Sequence, residues 1–146
     1  MFCLNRESVD TGTDWRELFP GAQYVDVLGV DYYNKSPYVA SAEDWTASLG
    51  ATDDWGAPKG LDGYLEFARH EGLPLAVPEW SGDADEGDSP AFIQGMYDYF
   101  RAHGGTRAGQ LLYEIQFNVD VGDHEFDLFN PHTRLPSSAA EYQRLW

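Results

Sequence analysis

The sequence predicts an α/β fold with a parallel sheet, because short apolar runs alternate four times with helical patterns. The runs are mostly apolar over their whole length, which is typical of strands that are buried on both faces. Alternation of this kind implies right-handed crossovers between parallel strands. Four strand–helix units make half of a (β/α)8 barrel, here in a single domain over residues 1–146. The predicted strands are Phe2–Asn5, Tyr24–Val30, Leu73–Trp80 and Leu111–Phe117.

The helical segments carry start and stop signals. Ser89 and Pro90 are typical of an N-cap followed by the first helical position, and Phe92, Met96 and Phe100 then recur on one face. The other predicted helical segments are one or two turns within Thr13–Phe19 capped by Thr13, a weak helix at Ala42–Leu49, and helices at Leu61–Glu71 and Pro136–Trp146.

Composition excludes several classes of partner. The 25 acidic residues against 9 basic ones give a net charge of −16, which disfavours nucleic acid and anionic membrane surfaces and favours a neutral or cationic ligand, or a highly soluble surface. No apolar run approaches the ~20 residues of a membrane span. Cys3 is the only cysteine, so no disulfide forms within the chain. The first six residues are too short for a signal peptide, and the sequence does not indicate a location.

The run Leu73–Trp80 ends in a glutamate and an indole, Glu79 and Trp80. In barrels and open α/β sheets, chemistry takes place at the carboxyl ends of the strands. A carboxylate at that position, beside a ring that can stack on a sugar, is a candidate catalytic group. The structural alternative is a loop glutamate next to a Trp that closes the core, and this stretch alone favours neither interpretation.

Four segments together resemble mannanase-type glycoside hydrolases of family 26 and related clan A enzymes. Phe2–Asn5 resembles the end of the fifth strand, the run from Tyr24 to Tyr33 the sixth, Leu73–Trp80 the seventh, and Leu111 to Asn118 with Trp146 the eighth strand and last helix. The resemblance implies a retaining glycoside hydrolase acting on a β-linked polysaccharide such as mannan or glucan, with Glu79 as the nucleophile. The resembled family is commonly secreted.

The chain departs from the resembled family in one respect. The family's acid/base glutamate follows the fourth strand in a His-Glu-x-Asn or Asn-Glu setting, and no such motif occurs here. Half of the retaining pair is therefore missing from this chain. One alternative is a non-catalytic carbohydrate-binding or scaffold half-barrel of the same ancestry. A weaker one is an α/β interaction domain whose resemblance is accidental.

Several side chains at predicted strand ends are candidates for sugar binding or for hydrogen bonds to Glu79. Tyr32 and Tyr33 are adjacent, and alternation along a strand places one of them in the core and the other on the opposite face. Asp31 is either a site carboxylate or, in the favoured interpretation, a structural acceptor. The aromatic candidates for sugar stacking also include Trp45 and Trp55, for each of which packing is the commoner role. The predicted ligand-binding residues are Asn5, Arg6, Asp31, Tyr32, Tyr33, Trp80, Phe117 and His124.

No metal or cofactor is expected. The acidic loop Ser81–Asp88 lacks the spacing of a calcium loop, and the histidines lack metal-ligand spacing. The partner expected besides a carbohydrate is a second copy, because a half-barrel leaves two unpaired edges. If two copies close head to tail, the nearest candidate acids are Asp120, Asp123 and Glu114, the last only if it points inward.

Overall fold

The computed structural model describes residues 1–6, 12–122 and 124–146. It is an α/β fold with a four-stranded sheet in which all neighbouring strands are parallel and follow the order β1-β2-β3-β4. The strands are β1 Phe2–Asn5, β2 Leu28–Asn34, β3 Leu75–Gly82 and β4 Leu111–Gln116. The helices are α1 Ala42–Leu49, α2 Leu61–Glu71, α3 Pro90–His103 and α4 Pro136–Leu145. Parallel strands in sequential order confirm the predicted α/β class and are consistent with a half-barrel.

One face of the sheet carries the hydrophobic core. Leu28, Val30 and Tyr32 of β2 point to this face and belong to one buried cluster with side chains of α2, α3 and α4, against which side chains of α1 also pack. The opposite face, called here the inner face, carries Asp31 and Tyr33 of the same strand, since side chains alternate along β2. The helices therefore cover one side of the sheet, as the outer helices of a barrel do.

The predicted bounds of the second and third strands are wrong, and the fourth strand ends at Gln116, one residue before its predicted end. The second was predicted at Tyr24–Val30, but β2 runs from Leu28 to Asn34, and Tyr24 is 76% exposed in the turn before it. The third was predicted at Leu73–Trp80, but β3 starts at Leu75 and continues to Gly82. Both strands extend further because their last residues pair with each other, in the register Tyr33↔Ser81 and Asn34↔Gly82.

A β-bulge in β3 decides where Glu79 points. Two steps along β2 match three steps along β3 between the pairs Gly29↔Ala76 and Asp31↔Glu79, so β3 contains one extra residue there. Pro78 lies within this stretch and has no N–H to offer the ladder, which is why proline in a sheet accompanies a bulge. Without the bulge, Val77 and Glu79 would share a face.

Local capping accounts for the helix ends. The Ser41 and Ser89 hydroxyls accept the backbone N–H groups that begin α1 and α3, and Gly72 ends α2 at φ 76° in the left-handed region. The early helical segment is a single 3₁₀ turn at Trp15–Leu18. The prediction of Thr13 as its cap is wrong, because Asp14 accepts the N–H of Arg16. None of the described helices is long and apolar enough to cross a membrane.

The start of α4 is capped from a distant loop. Leu135 at its N-cap position makes no side-chain cap, and Asp88 instead accepts the backbone N–H groups of Ser137 and Ser138 at 2.7 and 2.8 Å. Partial burial acts to raise the pKa of Asp88, but hydrogen bonds from the Ser138 hydroxyl and these N–H groups outweigh it and lower that pKa below its ordinary value. A carboxylate at a helix N-terminus is also favoured by the helix dipole.

Replacing Asp88 with alanine is expected to reduce the free energy of unfolding at pH 7 by about 1–2 kcal/mol. Because the folded-state pKa is depressed, this contribution is present above the unfolded pKa of about 3.8 and is lost as pH falls through the folded pKa. Urea unfolding at pH 7 and pH 3 measures the difference. Asp26→Ala, which removes an exposed carboxylate before β2, is the control. An equal loss for both variants would contradict the capping role.

Candidate functional site

Glu79 lies on the inner face near the carboxyl end of β3, aimed there by the bulge. The Tyr33 hydroxyl donates a hydrogen bond of 2.9 Å to Oε2 of Glu79. Burial, and after it this hydrogen bond, raise the pKa of Tyr33 well above its ordinary value, so the phenol keeps its proton and remains a donor. The carboxylate is thus held in one orientation by a rigid neighbour, as a nucleophile or a ligand-binding acceptor requires.

A second carboxylate, Asp31, pairs in register with Glu79 across β2 and β3. Burial and the charge of Glu79 raise the pKa of Asp31, although a hydrogen bond of 3.4 Å from the Cys3 thiol acts in the opposite direction. Partial desolvation of the sulfur, together with Asp31, raises the pKa of Cys3 to about 12, so the thiol stays protonated and unreactive. Asp31 is therefore both a member of the inner-face cluster and an acceptor for Cys3.

Ionised Asp31 should cost stability at neutral pH. A raised folded-state pKa means that the folded protein binds the proton more tightly, so stability falls as pH rises from the unfolded value of 3.8 through the folded one. We expect Asp31→Asn to melt at a higher temperature than wild type at pH 7 and at the same temperature near pH 3. Thermal unfolding followed by circular dichroism measures both. A variant that melts lower than wild type at pH 7 would mean that the carboxylate is stabilising instead.

An aromatic cleft of about 290 Å³ opens where the strands end. Tyr33 lines it, and Phe117 and Phe126 pack against the Tyr33 ring with centroid distances of 6.0 and 5.1 Å. Four predicted site residues meet in this cleft, although they come from three separate strand ends. Its lining residues are Asn5, Tyr33, Lys35, Phe117, Val121, His124 and Phe126.

Three predicted ligand-binding side chains lie in the core instead. Trp80 and Tyr32 are 0% exposed, since the bulge and the strand alternation turn both rings toward the helices. Arg6 is also 0% exposed; its guanidinium lies 4.2 Å from the Tyr32 ring centroid and donates to the Tyr33 carbonyl at 3.0 Å. These three side chains therefore pack beneath the site and are not accessible to a ligand.

The candidate general acids lie in different surroundings. Glu114 lies on the helix side of the sheet, where its two oxygens accept the indole N–H groups of Trp80 at 2.6 Å and Trp146 at 3.3 Å. The inward orientation considered for it is wrong. Asp120 accepts two backbone N–H groups, those of Phe126 and Asp127, and so shapes its own loop. Asp123 lies outside the described residues.

A charged network at the rim was not visible in the sequence. Asp83, Asp85 and His124 bring three potential metal-ligating atoms within 4.8 Å of one another. Each carboxylate already has a cation, however, with Lys35 2.9 Å from Asp83 and Arg134 3.0 Å from Asp85. The network therefore ties together the loops after β2, β3 and β4 without needing an ion. Aspartates and a histidine 39 or more residues apart carry no local spacing signal that could have indicated it.

A comparison with protein-family models found no match, and a comparison with curated proteins found none either.

Proposed function

We propose that this chain is a half-barrel of a retaining glycoside hydrolase that acts on a β-linked polysaccharide of the mannan or glucan type. The observation that carries the proposal is the setting of Glu79, which is aimed inward by a bulge and held by Tyr33. The adjoining aromatic cleft suits a sugar, because pyranose rings pack their apolar faces on aromatic side chains. The net charge of −16 further favours a neutral ligand over an anionic one.

Covalent trapping tests this proposal directly. An aryl 2-deoxy-2-fluoro-β-mannoside or β-glucoside with a dinitrophenolate leaving group is incubated with the protein. The Glu79 carboxylate attacks the anomeric carbon, dinitrophenolate departs with the bonding electron pair, and a glycosyl ester remains on the enzyme. Mass spectrometry should find one added fluorosugar on the peptide that contains Glu79. Glu79→Gln is the matched control and should remain unlabelled.

A second candidate is a carbohydrate-binding half-barrel without catalysis. It is favoured by the missing acid/base, since Glu114 is held by two indoles and Asp120 by its own loop. Oligosaccharide binding without any labelling of Glu79 would support this alternative.

A second copy of the chain is the proposed partner. Among the described strands, β1 has β2 as its one neighbour and β4 has β3, so these two are the edge strands of the sheet. An isolated parallel bridge also joins Leu111 of β4 to Gly104. The inner face near these edges carries exposed apolar side chains, with Tyr113 39% and Ile115 55% exposed. Edge strands tend to pair with a further strand, and an uncovered apolar face tends to be covered by another chain. Both features favour association. Two copies would supply the eight strands of a closed barrel.

The dimer has a direct test. We expect sedimentation equilibrium to show a concentration-dependent dimer, and Ile115→Lys to shift it to monomer, because the substitution buries an unpaired ammonium in the interface. Leu18→Lys is the control, since Leu18 is 58% exposed in the 3₁₀ turn, away from the inner face. A wild-type chain that remains monomeric with full native stability at high concentration would contradict the dimer.

A further inference from the structure

A cavity of about 390 Å³ lies in the long connection between β2 and α2. Two segments of this connection form most of it, residues 36–37 shortly after β2 and residues 51–54 shortly after α1. Four of the side chains that line the cavity carry oxygen atoms. The lining residues are Ser36, Pro37, Ala51, Thr52, Asp53, Asp54 and Lys59.

The loop on one side of this cavity holds the Asp53 carboxylate in one orientation. Its Oδ1 atom accepts the backbone N–H groups of Trp55 at 2.9 Å and Ala57 at 2.8 Å. The backbone N–H of Asp53 in turn donates to the Ala57 carbonyl at 2.9 Å. Backbone and side chain of Asp53 are therefore both fixed by the loop that follows them.

The other carboxylate oxygen of Asp53 has no hydrogen-bond donor. Asp53 is 8% exposed, and its Oδ2 atom is buried and receives no hydrogen bond from the described part of the chain. The ammonium of Lys59 belongs to the same lining but does not bond this oxygen either. A buried ionised oxygen without a donor destabilises the fold unless a water or a cation supplies the missing contact. Because Oδ1 is turned to the N–H groups of the loop, Oδ2 is the oxygen that Asp53 offers to a ligand in the cavity.

The chemistry of the lining favours a cation over water. Asp54 adds a second carboxylate, and Thr52 and Ser36 add hydroxyl oxygens. Two carboxylates against the one ammonium of Lys59 leave the lining with a net negative charge, and the chain's net charge of −16 concentrates cations at its surface. Carboxylate and hydroxyl oxygens are the ligands that calcium and magnesium prefer. The sequence did not indicate this site, because its groups come from two separate segments.

We propose that this cavity is a binding site for a divalent cation, preferentially Ca²⁺, with Oδ2 of Asp53 and the Asp54 carboxylate as its charged ligands. Ca²⁺ accepts an irregular set of about six to eight oxygens, whereas Mg²⁺ requires a nearly ideal octahedron and retains several waters. A bound ion would connect residues 36–37 to residues 51–54, next to Lys35 in the wall of the aromatic cleft. The inference is independent of the function proposed for Glu79.

Calorimetric titration and thermal unfolding of the full chain test the site after dialysis against a chelator. The probes are CaCl₂ and MgCl₂ at equal ionic strength. We expect one calcium site with a Kd on the order of 10⁻⁴–10⁻³ M, because only two of its ligands are charged, and binding of magnesium that is about tenfold weaker or less. The melting temperature should rise with calcium concentration, since the ion binds only the folded chain.

Variants of the two carboxylates separate this site from general attraction of cations. Asp54→Asn removes a charged ligand at an exposed position and should weaken calcium binding about tenfold or more, without changing the melting temperature of the calcium-free protein. Asp53→Asn keeps an acceptor for the N–H groups of Trp55 and Ala57 but replaces Oδ2, and it should abolish binding. If Asp53→Asn does not fold, Asp54→Asn decides. Asp26→Asn, which neutralises an exposed carboxylate before β2, should bind calcium like wild type.

Several results would overturn the site. These are no binding heat and no rise in melting temperature at millimolar calcium, equal effects of calcium and magnesium, and an unchanged calcium affinity in Asp54→Asn. Loss of binding in Asp85→Asn instead of Asp54→Asn would place the ion in the rim network of Asp83, Asp85 and His124, and would overturn the assignment as well.

Discussion

Under the proposed mechanism, substituting Glu79 with alanine is expected to reduce turnover of dinitrophenyl β-glycosides on the order of 10⁴-fold or more, because the covalent step would lose its nucleophile. Such substrates are the informative ones, since their leaving group departs without a proton. Initial rates of phenolate release measure the effect. Glu86→Ala is the matched control, because it removes an exposed carboxylate from the loop that follows the same strand.

Adding azide as an external nucleophile makes this experiment more specific for the role of Glu79. The Glu79→Ala substitution opens space beside the anomeric carbon, where azide can attack, displace the phenolate and leave a glycosyl azide of inverted configuration. Recovery of phenolate release with azide, together with the α-azide as product, would assign Glu79 its role by stereochemistry. An unchanged rate in Glu79→Ala without azide would mean that Glu79 is not the nucleophile, and the carbohydrate-binding alternative would then lead.

Wild-type turnover of unactivated polysaccharide should be weak or absent. A retaining enzyme without its acid loses proton donation to the leaving group, which is typically worth about 10²–10⁴-fold in rate. Neither Glu114, bound by two indoles, nor Asp120, bound by its own loop, is free to supply that proton. Cleavage of mannan or glucan at ordinary glycosidase rates would require an acid that these residues do not provide.

Hydrophobic patterning was sufficient to predict the elements of this fold, because strands covered on both faces and amphipathic helices have distinct periodicities. Their register was less predictable. Tyr24 was included in a strand that starts at Leu28, since the apolar run alone does not reveal which residues have a partner on β3. The pairing between distant segments determines the strand bounds, and it places Asp31 and Tyr33 inside β2, beyond the predicted strand end at Val30.

The composition of the cleft was predicted in part. Residues that follow strands, such as Asn5 and Phe117, do converge in it, because carboxyl ends of parallel strands meet at one edge. Trp80 and Arg6 do not reach the cleft, because both side chains are buried. The sequence contains a signal for the burial of Trp80 but none for that of Arg6. Pro78 was the available signal for Trp80, since proline inside a buried strand marks a bulge that reverses the facing of later residues. Burial of Arg6 under two backbone carbonyls has no comparable signal.

Substitution of Trp80 is expected to lower the free energy of unfolding more than any other variant proposed here. Its ring is 0% exposed and contacts Phe100 and Trp146 at centroid distances of 5.5 Å each, while its N–H donates to Glu114 at 2.6 Å. Trp80→Ala should therefore reduce the free energy of unfolding by about 3–5 kcal/mol, because it leaves a cavity among α3, α4 and the sheet. Guanidinium unfolding followed by circular dichroism measures the loss.

One further variant separates the packing of Trp80 from its hydrogen bond, and a second, at an exposed tryptophan, is the control. Trp80→Phe retains a ring and removes the donor, so one oxygen of Glu114 loses its partner at a cost of about 1–3 kcal/mol. Trp55→Ala is the exposed counterpart and should change stability by less than about 0.5 kcal/mol. If Trp80→Ala unfolded like wild type but lost affinity for disaccharides, the indole would be a sugar platform. The burial of its ring beneath α3 and α4 predicts the reverse, with unfolding affected first and binding only through the loss of the fold.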